Sequence, residues 1–223
     1  MKRRRLLSGC GLFLVLLGLL VGGCGVFFHL FSRQTRREPE LAVRPFFETQ
    51  AAVLPSGWRF MGVDERDFST DDASTWGIGM VSFAFEYEKV NPRTYRRDQI
   101  SEEIHIFGNP LPARVLGPRF DPVPRGKDRY VPEGWSYRPI HADGWEFGCE
   151  GGDGRREPER CGVVLRYQEY VIALTVPMSY MMLGDLQRLL EVIDEEMGAF
   201  LRRSKVEPGR RDLPAALFEG TGQ

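Results

Sequence analysis

The N-terminus joins a basic cluster, residues 2–5, to an uncharged apolar run over residues 6–31. A helix of that length reaches about 39 Å at about 1.5 Å per residue, which exceeds the roughly 30 Å hydrocarbon core of a bilayer. Helices in the core of a globular domain seldom run this far without a polar face. Residues 1–32 are therefore predicted to be a membrane anchor, and the compartment this implies governs how the later cysteines are interpreted.

Three forms of this anchor remain open. Residues 20–23 followed by Cys24 resemble a bacterial lipobox, which makes Cys24 a candidate for lipidation. The basic cluster and the apolar run also fit a cleaved secretory signal. However, the chain stays apolar from Val26 to Phe31, whereas a mature lipoprotein usually begins with a polar, flexible tether. A retained signal anchor is therefore favoured over a lipoprotein signal, and a cleaved signal is least favoured.

Basic residues on either side of the apolar run indicate its orientation. Four precede it, in residues 2–5, and three follow it: Arg33, Arg36 and Arg37. An excess of basic residues marks the cytoplasmic side of a membrane helix. The predicted location is the cell membrane, crossed once, with the C-terminal domain outside the cytoplasm and membrane lipid as the partner of the helix.

The charge balance beyond the anchor argues against nucleic acid as a partner. Residues 32–223 carry 26 Lys and Arg against 31 Asp and Glu, a net charge of −5. A nucleic-acid-binding domain shows a basic face instead. Most of the basic residues in the chain are arginine, a bias that indicates a GC-rich bacterial genome.

Two cysteines of the predicted domain bracket a charged, glycine-rich segment. Cys149 and Cys161 are the inner ends of two apolar segments, residues 144–148 and 163–176. This arrangement predicts two strands joined by a long loop, with a cysteine pair that a disulfide can close. Closure of such a loop stabilises a fold by about 3 kcal/mol, and a disulfide fits a location outside the cytoplasm.

Zinc is the competing interpretation of this cysteine pair. A structural zinc site needs four ligands, so His105 and His141 would both have to converge on Cys149 and Cys161. Free thiols are the remaining alternative. The disulfide is preferred, and neither a metal site nor a cofactor is predicted.

The soluble part is predicted to be one α+β domain with a mainly antiparallel sheet and a packed C-terminal amphipathic helix. Residues 33–54 resemble a stalk, residues 55–204 carry the apolar content of a single domain, and residues 205–223 resemble a flexible tail. Alternating apolar residues predict strands at residues 57–63, 81–87, 145–149 and 161–176. Residues 91–108 predict a helix that gives way to a strand near Ser101.

The C-terminal helix is predicted over residues 184–203. Leucine, isoleucine, methionine and phenylalanine recur there at helical spacing, which forms an apolar stripe on one side of the helix. This stripe is expected to pack on the sheet. Asp194, Glu195 and Glu196 fall outside it and are expected to face solvent.

A proline- and glycine-rich stretch, residues 108–144, is predicted to be a long loop. Basic and aromatic side chains alternate in it and form a candidate binding loop, for which the residues are Arg125, Lys127, Arg129, Trp135 and Tyr137. These side chains can bind an anionic lipid headgroup, a wall polymer or a partner protein, or they can pin the loop to its own domain. Pinning is the preferred interpretation.

Catalytic motifs are missing from the sequence. It has no G-x-S-x-G elbow, H-E-x-x-H, P-loop or EF-hand loop. His105 near Glu103 and His141 near Asp143 are the candidate general-base pairs. The favoured function is therefore a membrane-tethered, non-catalytic binding or accessory module with an unknown protein partner. The alternative is a membrane-anchored hydrolase that uses His105 or His141 with nearby carboxylates.

Overall fold

The structure is a computed structural model that describes residues 18–31, 33, 35–66, 81–90, 97–120, 122–126, 129–151 and 158–208. The chain divides into two compact units, Met1–Arg33 and Gln34–Gln223. The first unit contains helix α1, described over residues 18–31. Among the residues described, none of the helices combines the length and the apolar character needed to cross a bilayer. Residues 6–17 of the predicted span lie outside the described part.

The second unit holds the domain. Its described helices are α2 (Val43–Ala51), α3 (Pro110–Leu116) and α4 (Leu183–Arg203). Its described strands are β1 (Thr35–Glu38), β2 (Arg59–Arg66), β3 (Val81–Val90), β4 (Arg97–Ile106), β5 (Gly144–Glu150), β6 (Arg160–Tyr167), β7 (Tyr170–Pro177) and β8 (Lys205–Pro208).

Six of these strands form one antiparallel sheet in the order β2-β3-β4-β7-β6-β5. The first three strands follow one another as a meander, after which the chain crosses to the far edge at β5 and returns through β6 to β7. The strand β7 is central and is buried over most of its length, as its nearly continuous apolar sequence predicts. The predicted α+β class with a mainly antiparallel sheet and a C-terminal helix is confirmed.

The core lies between the sheet and α4. Alternate residues of β6 and β7 belong to the same buried cluster as the stripe on α4, which comprises Leu186, Leu189, Leu190, Ile193, Met197 and Phe200. Asp185 helps to start α4, because its carboxylate accepts a bond from the backbone N of Met182 at 3.1 Å. The predicted helix and its packing face are confirmed, and α2 adds Phe46 and Phe47 to the same cluster.

Three local predictions differ from the structure. Residues 97–100, expected to continue a helix, already belong to strand β4, while residues 91–96 lie outside the described part. The sequence predicts one long arm over 161–176, whereas Gln168 and Glu169 turn the chain between β6 and β7. The turn places Gln168 at φ 59°, a conformation uncommon for a residue other than glycine. The predicted loop also contains α3 and a 3-10 turn, Gly117–Phe120.

The segments expected to be a stalk and a tail contribute elements to the domain. Within residues 33–54, β1 pairs with β8 of the C-terminal segment, and α2 is packed in the core. Arg37 of β1 is buried, where its Nε lies 2.6 Å from Oε1 of Glu169 and its Nη1 donates to Ser204 at 3.2 Å. The compact unit therefore begins before residue 55 and includes residues 205–208.

The predicted disulfide is confirmed. Cys149 of β5 and Cys161 of β6 face each other directly in the strand register and are bonded. Both residues are completely buried in the core cluster. The loop that they close includes residues 152–157, which lie outside the described part.

Candidate functional site

A shallow cleft on the sheet face opposite α4 is the candidate binding site. It has a volume of about 110 Å³ and lies between α3 with its following turn and strands β5, β6 and β7. Ala113, Pro118, Val164 and Val171 supply apolar walls, and Arg166 is the cationic residue among its lining. We call it the Arg166 cleft.

The position of Arg166 depends on Asp143, just before β5, and on Gly144, the first residue of β5. Its Nε lies 2.6 Å from Oδ1 of Asp143, and its Nη2 donates to the backbone oxygen of Asp143 at 3.0 Å. A side chain at Gly144 would collide with this guanidinium. Glycine at 144 therefore lets the arginine lie flat across the strand, and Asp143 fixes its direction.

Charges around the Arg166 cleft leave a small positive excess. Arg114 lies 3.8 Å from the second carboxylate oxygen of Asp143, which thus faces two arginines. Glu146 is paired with Arg129 at 2.5 Å. Among the described residues that line the cleft there is no serine, cysteine or histidine. Arg166 makes the cleft suited to holding a small anionic group.

The candidate binding loop has most of its described side chains engaged with the domain. Trp135 stacks on Phe147 at a centroid distance of 3.6 Å, and the Tyr137 hydroxyl donates to the Leu190 oxygen of α4 at 3.0 Å. Arg129 also donates to the Phe147 oxygen at 3.0 Å. Arg125 is exposed and donates to the Pro118 oxygen at 3.0 Å. Lys127 lies outside the described residues.

The two candidate histidines lie apart and are absent from the lining of the Arg166 cleft. His105 is buried in β4, and its Nε2 lies 3.1 Å from Oε2 of Glu103. His141 packs its ring against Gly198 of α4, where a side chain would collide with it. A hydrolase of the predicted kind needs a histidine in a cleft with converging polar groups. Among the described residues, neither histidine lies in the Arg166 cleft.

Asp194 is a structural centre that the sequence prediction missed. It was expected to face solvent, but it is 3% exposed. Its carboxylate accepts bonds from the backbone N of Ile140, His141 and Ala142 and from the Tyr167 hydroxyl, at 2.7 to 3.2 Å. An acid three residues before Met197 of the apolar stripe was the available signal, because that spacing places both on one helix face.

Glu102 is the second buried acid, and it faces the same core. It is fully buried on β4 opposite Leu174 of β7. Gln50 of α2 donates to it from Nε2 to Oε1 at 3.3 Å. Burial raises the pKa of Glu102 to about 8, and the bond from Gln50 only partly offsets this. Within the described part of the chain, Glu102 Oε2 and Gln50 Oε1 make no hydrogen bond.

The remaining features are the candidate lipidation residue and metal binding. Cys24 is a free, exposed cysteine in α1. Among the described residues, no group of three or more His, Cys, Asp or Glu side chains is arranged to hold a metal ion.

Comparisons of this chain with protein-family models, with curated proteins and with solved structures find no match.

Proposed function

We propose that this protein is a membrane-tethered, extracytoplasmic binding or accessory module without catalytic activity of its own. The observation that carries the proposal is the disulfide Cys149–Cys161, which is buried in the core of the sheet. Disulfides persist in oxidising compartments and are rare in the reducing cytosol. A buried disulfide that joins β5 and β6 at the edge of the sheet fits a domain that folds outside the cytoplasm.

The tether part of the proposal rests on the N-terminal sequence. The apolar run over residues 6–31 and the basic cluster before it fit a retained signal anchor. The described portion of the run, residues 18–31, is helical. Cys24 keeps the lipoprotein form of the tether open, because it is an exposed thiol after a lipobox-like sequence.

The binding part of the proposal rests on the Arg166 cleft. A positively charged side chain, fixed by Asp143 and placed beside apolar walls, favours a ligand or partner segment that carries a carboxylate or another small anion. The predicted hydrolase alternative gains no support, because neither His105 nor His141 lines this cleft.

The location is tested by expressing the full chain with its own N-terminus in a bacterial host. We expect the protein in the membrane fraction, digestible by protease added to spheroplasts, with Cys149 and Cys161 protected from alkylation until a reductant is added. Recovery in the cytoplasmic fraction, or immediate alkylation of both cysteines after denaturation, would refute the proposal.

Binding at the cleft is tested with a matched pair of variants. Val164→Trp fills the cleft wall, whereas Val115→Trp adds the same side chain at an exposed position of α3 that does not line the cleft. Cross-linking in intact membranes should give an adduct that Val164→Trp loses and Val115→Trp keeps. Equal adducts with both folded variants would remove the cleft from the proposal.

A further inference from the structure

The helix α2 is a weakly stabilised element between two fixed points. It has nine residues, and its N-cap, Ala42, makes no side-chain hydrogen bond. An isolated helix of this length is marginal in water, so α2 depends on its docked face. Before it, Arg37 secures β1 through Glu169 and Ser204. After it, β2 is hydrogen-bonded into the sheet. The helix can therefore lift without releasing either neighbour.

The docked face of α2 covers Glu102. Phe46, Phe47 and Gln50 are its buried residues, and the spacing of three and four places them on one side of the helix. The phenylalanines enter the core cluster, and Gln50 reaches the fully buried Glu102 carboxyl. The amide is thus the only described polar partner of an acid that has no access to water while α2 is docked.

The two atoms left without described partners, one on Glu102 and one on Gln50, can bond each other only when Glu102 is protonated. Gln50 Nε2 donates to Glu102 Oε1, while Glu102 Oε2 and Gln50 Oε1 have no bond within the described residues. A neutral carboxyl carries one O–H donor in addition to its acceptor oxygen. When Glu102 is protonated, its O–H can donate to the amide oxygen, and both groups are then satisfied. When it is ionised, Glu102 Oε2 and Gln50 Oε1 are both acceptors, so neither can bond the other.

We infer that α2 is a proton-gated lid: neutral Glu102 and Gln50 pair reciprocally and hold the helix on the sheet, and loss of the Glu102 proton to solvent releases it. An ionised carboxylate needs water or a cation, and α2 supplies neither. Lifting α2 lets water reach the acid, so ionisation and opening occur together.

Other groups near Glu102 do not replace the proton. Among the described residues, the titratable group of β6 on which the Glu102 charge acts is the Tyr167 phenol, which is bonded to Asp194 of α4. β7 presents Leu174 at the paired position. Burial and the charges of Asp194 and Glu102 raise the pKa of Tyr167 beyond the working range of the protein, so this phenol remains neutral.

Hydrogen exchange of the full-length protein in detergent tests the inference. The intrinsic amide exchange rate rises about tenfold per pH unit. Between pH 5 and pH 8 the population of the open lid should also rise by about tenfold per unit. The logarithm of the exchange rate for α2 amides should therefore rise with pH at a slope of about 2 instead of about 1. These amides should also exchange faster than those of β7, because opening is local.

Three variants separate the lid from general instability. Glu102→Gln is isosteric and permanently neutral, so its α2 slope should fall to about 1. Glu48→Gln makes the same chemical change on an exposed face of α2 and should keep a slope of about 2. Gln50→Ala removes the amide and should speed α2 exchange at pH 5, where Glu102 is neutral.

Each opposite result overturns the inference. A slope of about 1 for the logarithm of the α2 exchange rate against pH in the wild type excludes proton gating. A slope of 2 that persists in Glu102→Gln assigns the effect to another group. Exchange of α2 at the same rate as β7 shows global unfolding in place of a lid. No acceleration in Gln50→Ala excludes the reciprocal pair.

Discussion

Asp194 and Glu102 are two of the buried acids among the described residues, and the protein surrounds them in opposite ways. Asp194 of α4 accepts bonds from three backbone amides and one phenol. Glu102 of β4 has a single described donor, the Gln50 amide. The first acid is an acceptor that holds residues 140–142 against α4. The second is an acid whose burial favours its neutral form. Residues 140–142 are thus held to α4 by a carboxylate acceptor, whereas α2 is held by the protonated form of Glu102.

Residues 137–142 and helix α2 should also differ in mobility. Residues 137–142 are held to α4 through Tyr137, Asp194 and the ring of His141. The helix α2 is held by Phe46, Phe47 and the Gln50 amide, and by the partly buried Val43 and Ala51. Segments with few buried contacts and few fixed bonds are the first to open. The loop side should therefore remain closed under conditions in which α2 lifts.

The largest effect should come from Asp194→Ala. Removal of the carboxylate leaves four donors without their acceptor, and we expect a loss of on the order of 4 kcal/mol in the free energy of unfolding. Urea denaturation at pH 7 measures it. Glu195→Ala, at the exposed neighbouring position, should change the stability by less than about 0.5 kcal/mol. Similar values for the two variants would show that Asp194 does not fasten the loop.

The next largest loss in the free energy of unfolding should come from removal of the disulfide. Cys149→Ala combined with Cys161→Ala should lower the free energy of unfolding by about 3 kcal/mol, because the closed loop no longer restricts the unfolded chain. The pH dependence of α2 exchange should be unchanged, since the bond joins β5 to β6 and α2 lies elsewhere. A simultaneous change in the pH slope of α2 exchange would show that the β5–β6 hairpin and α2 are coupled. The two regions would then not behave independently.

Glu102 should make stability fall as pH rises. Its pKa is about 8 in the folded protein and 4.5 as an ordinary glutamate, so the folded state binds the proton more tightly. Its contribution is complete below about pH 4.5 and declines toward pH 8, by at most about 1.4 kcal/mol per pH unit.

The paired variant Glu102→Leu with Gln50→Leu removes this dependence. Replacement of both polar partners by apolar groups of similar size is often neutral or stabilising. We expect a gain of roughly 3 kcal/mol over the wild type at pH 8.5 and a loss of about 1 kcal/mol at pH 5, a difference of about 4 kcal/mol that corresponds to about 1.4 kcal/mol per unit between pH 5 and pH 8. Chemical denaturation at both pH values measures it. Equal differences from the wild type at the two values would show that Glu102 does not titrate in this range.

The sequence predicted the sheet and the C-terminal helix because their signals are local. Period-2 alternation in β3 and β6 and the stripe on α4 are the sequence patterns that predict strands and a helix with one apolar face. The disulfide was predictable for the same reason, since each cysteine ends a strand pattern. The helix α3 was missed, although Asn109 caps it and Pro110 starts it, because the surrounding prolines and glycines were interpreted as loop signals. The same signal was recognised at Asn91 and Pro92.

The partners of the buried polar groups were not predictable from spacing alone. Glu102 alternates with Ile100 and Ile104 on β4, which places it on their buried face, but its polar character hides this signal. Gln50 meets it across 52 positions of the chain. The Arg166 cleft likewise depends on a contact between β6 and the residues that precede β5. Such contacts depend on tertiary packing, which leaves no periodic trace in the sequence.

The smallest effect concerns the hydroxyl of Tyr137. It donates to the backbone oxygen of Leu190, and burial raises the pKa of this phenol so that it stays neutral. In Tyr137→Phe the ring remains and the Leu190 oxygen keeps its place in α4, so only one neutral bond is lost. We expect about 1 kcal/mol from urea denaturation. Tyr167→Phe removes a bond to the Asp194 carboxylate and should cost about 2 kcal/mol, because bonds to charged acceptors are stronger. A larger loss for Tyr137 than for Tyr167 would mean that the loop is fastened by its ring packing on α4 and not by the carboxylate.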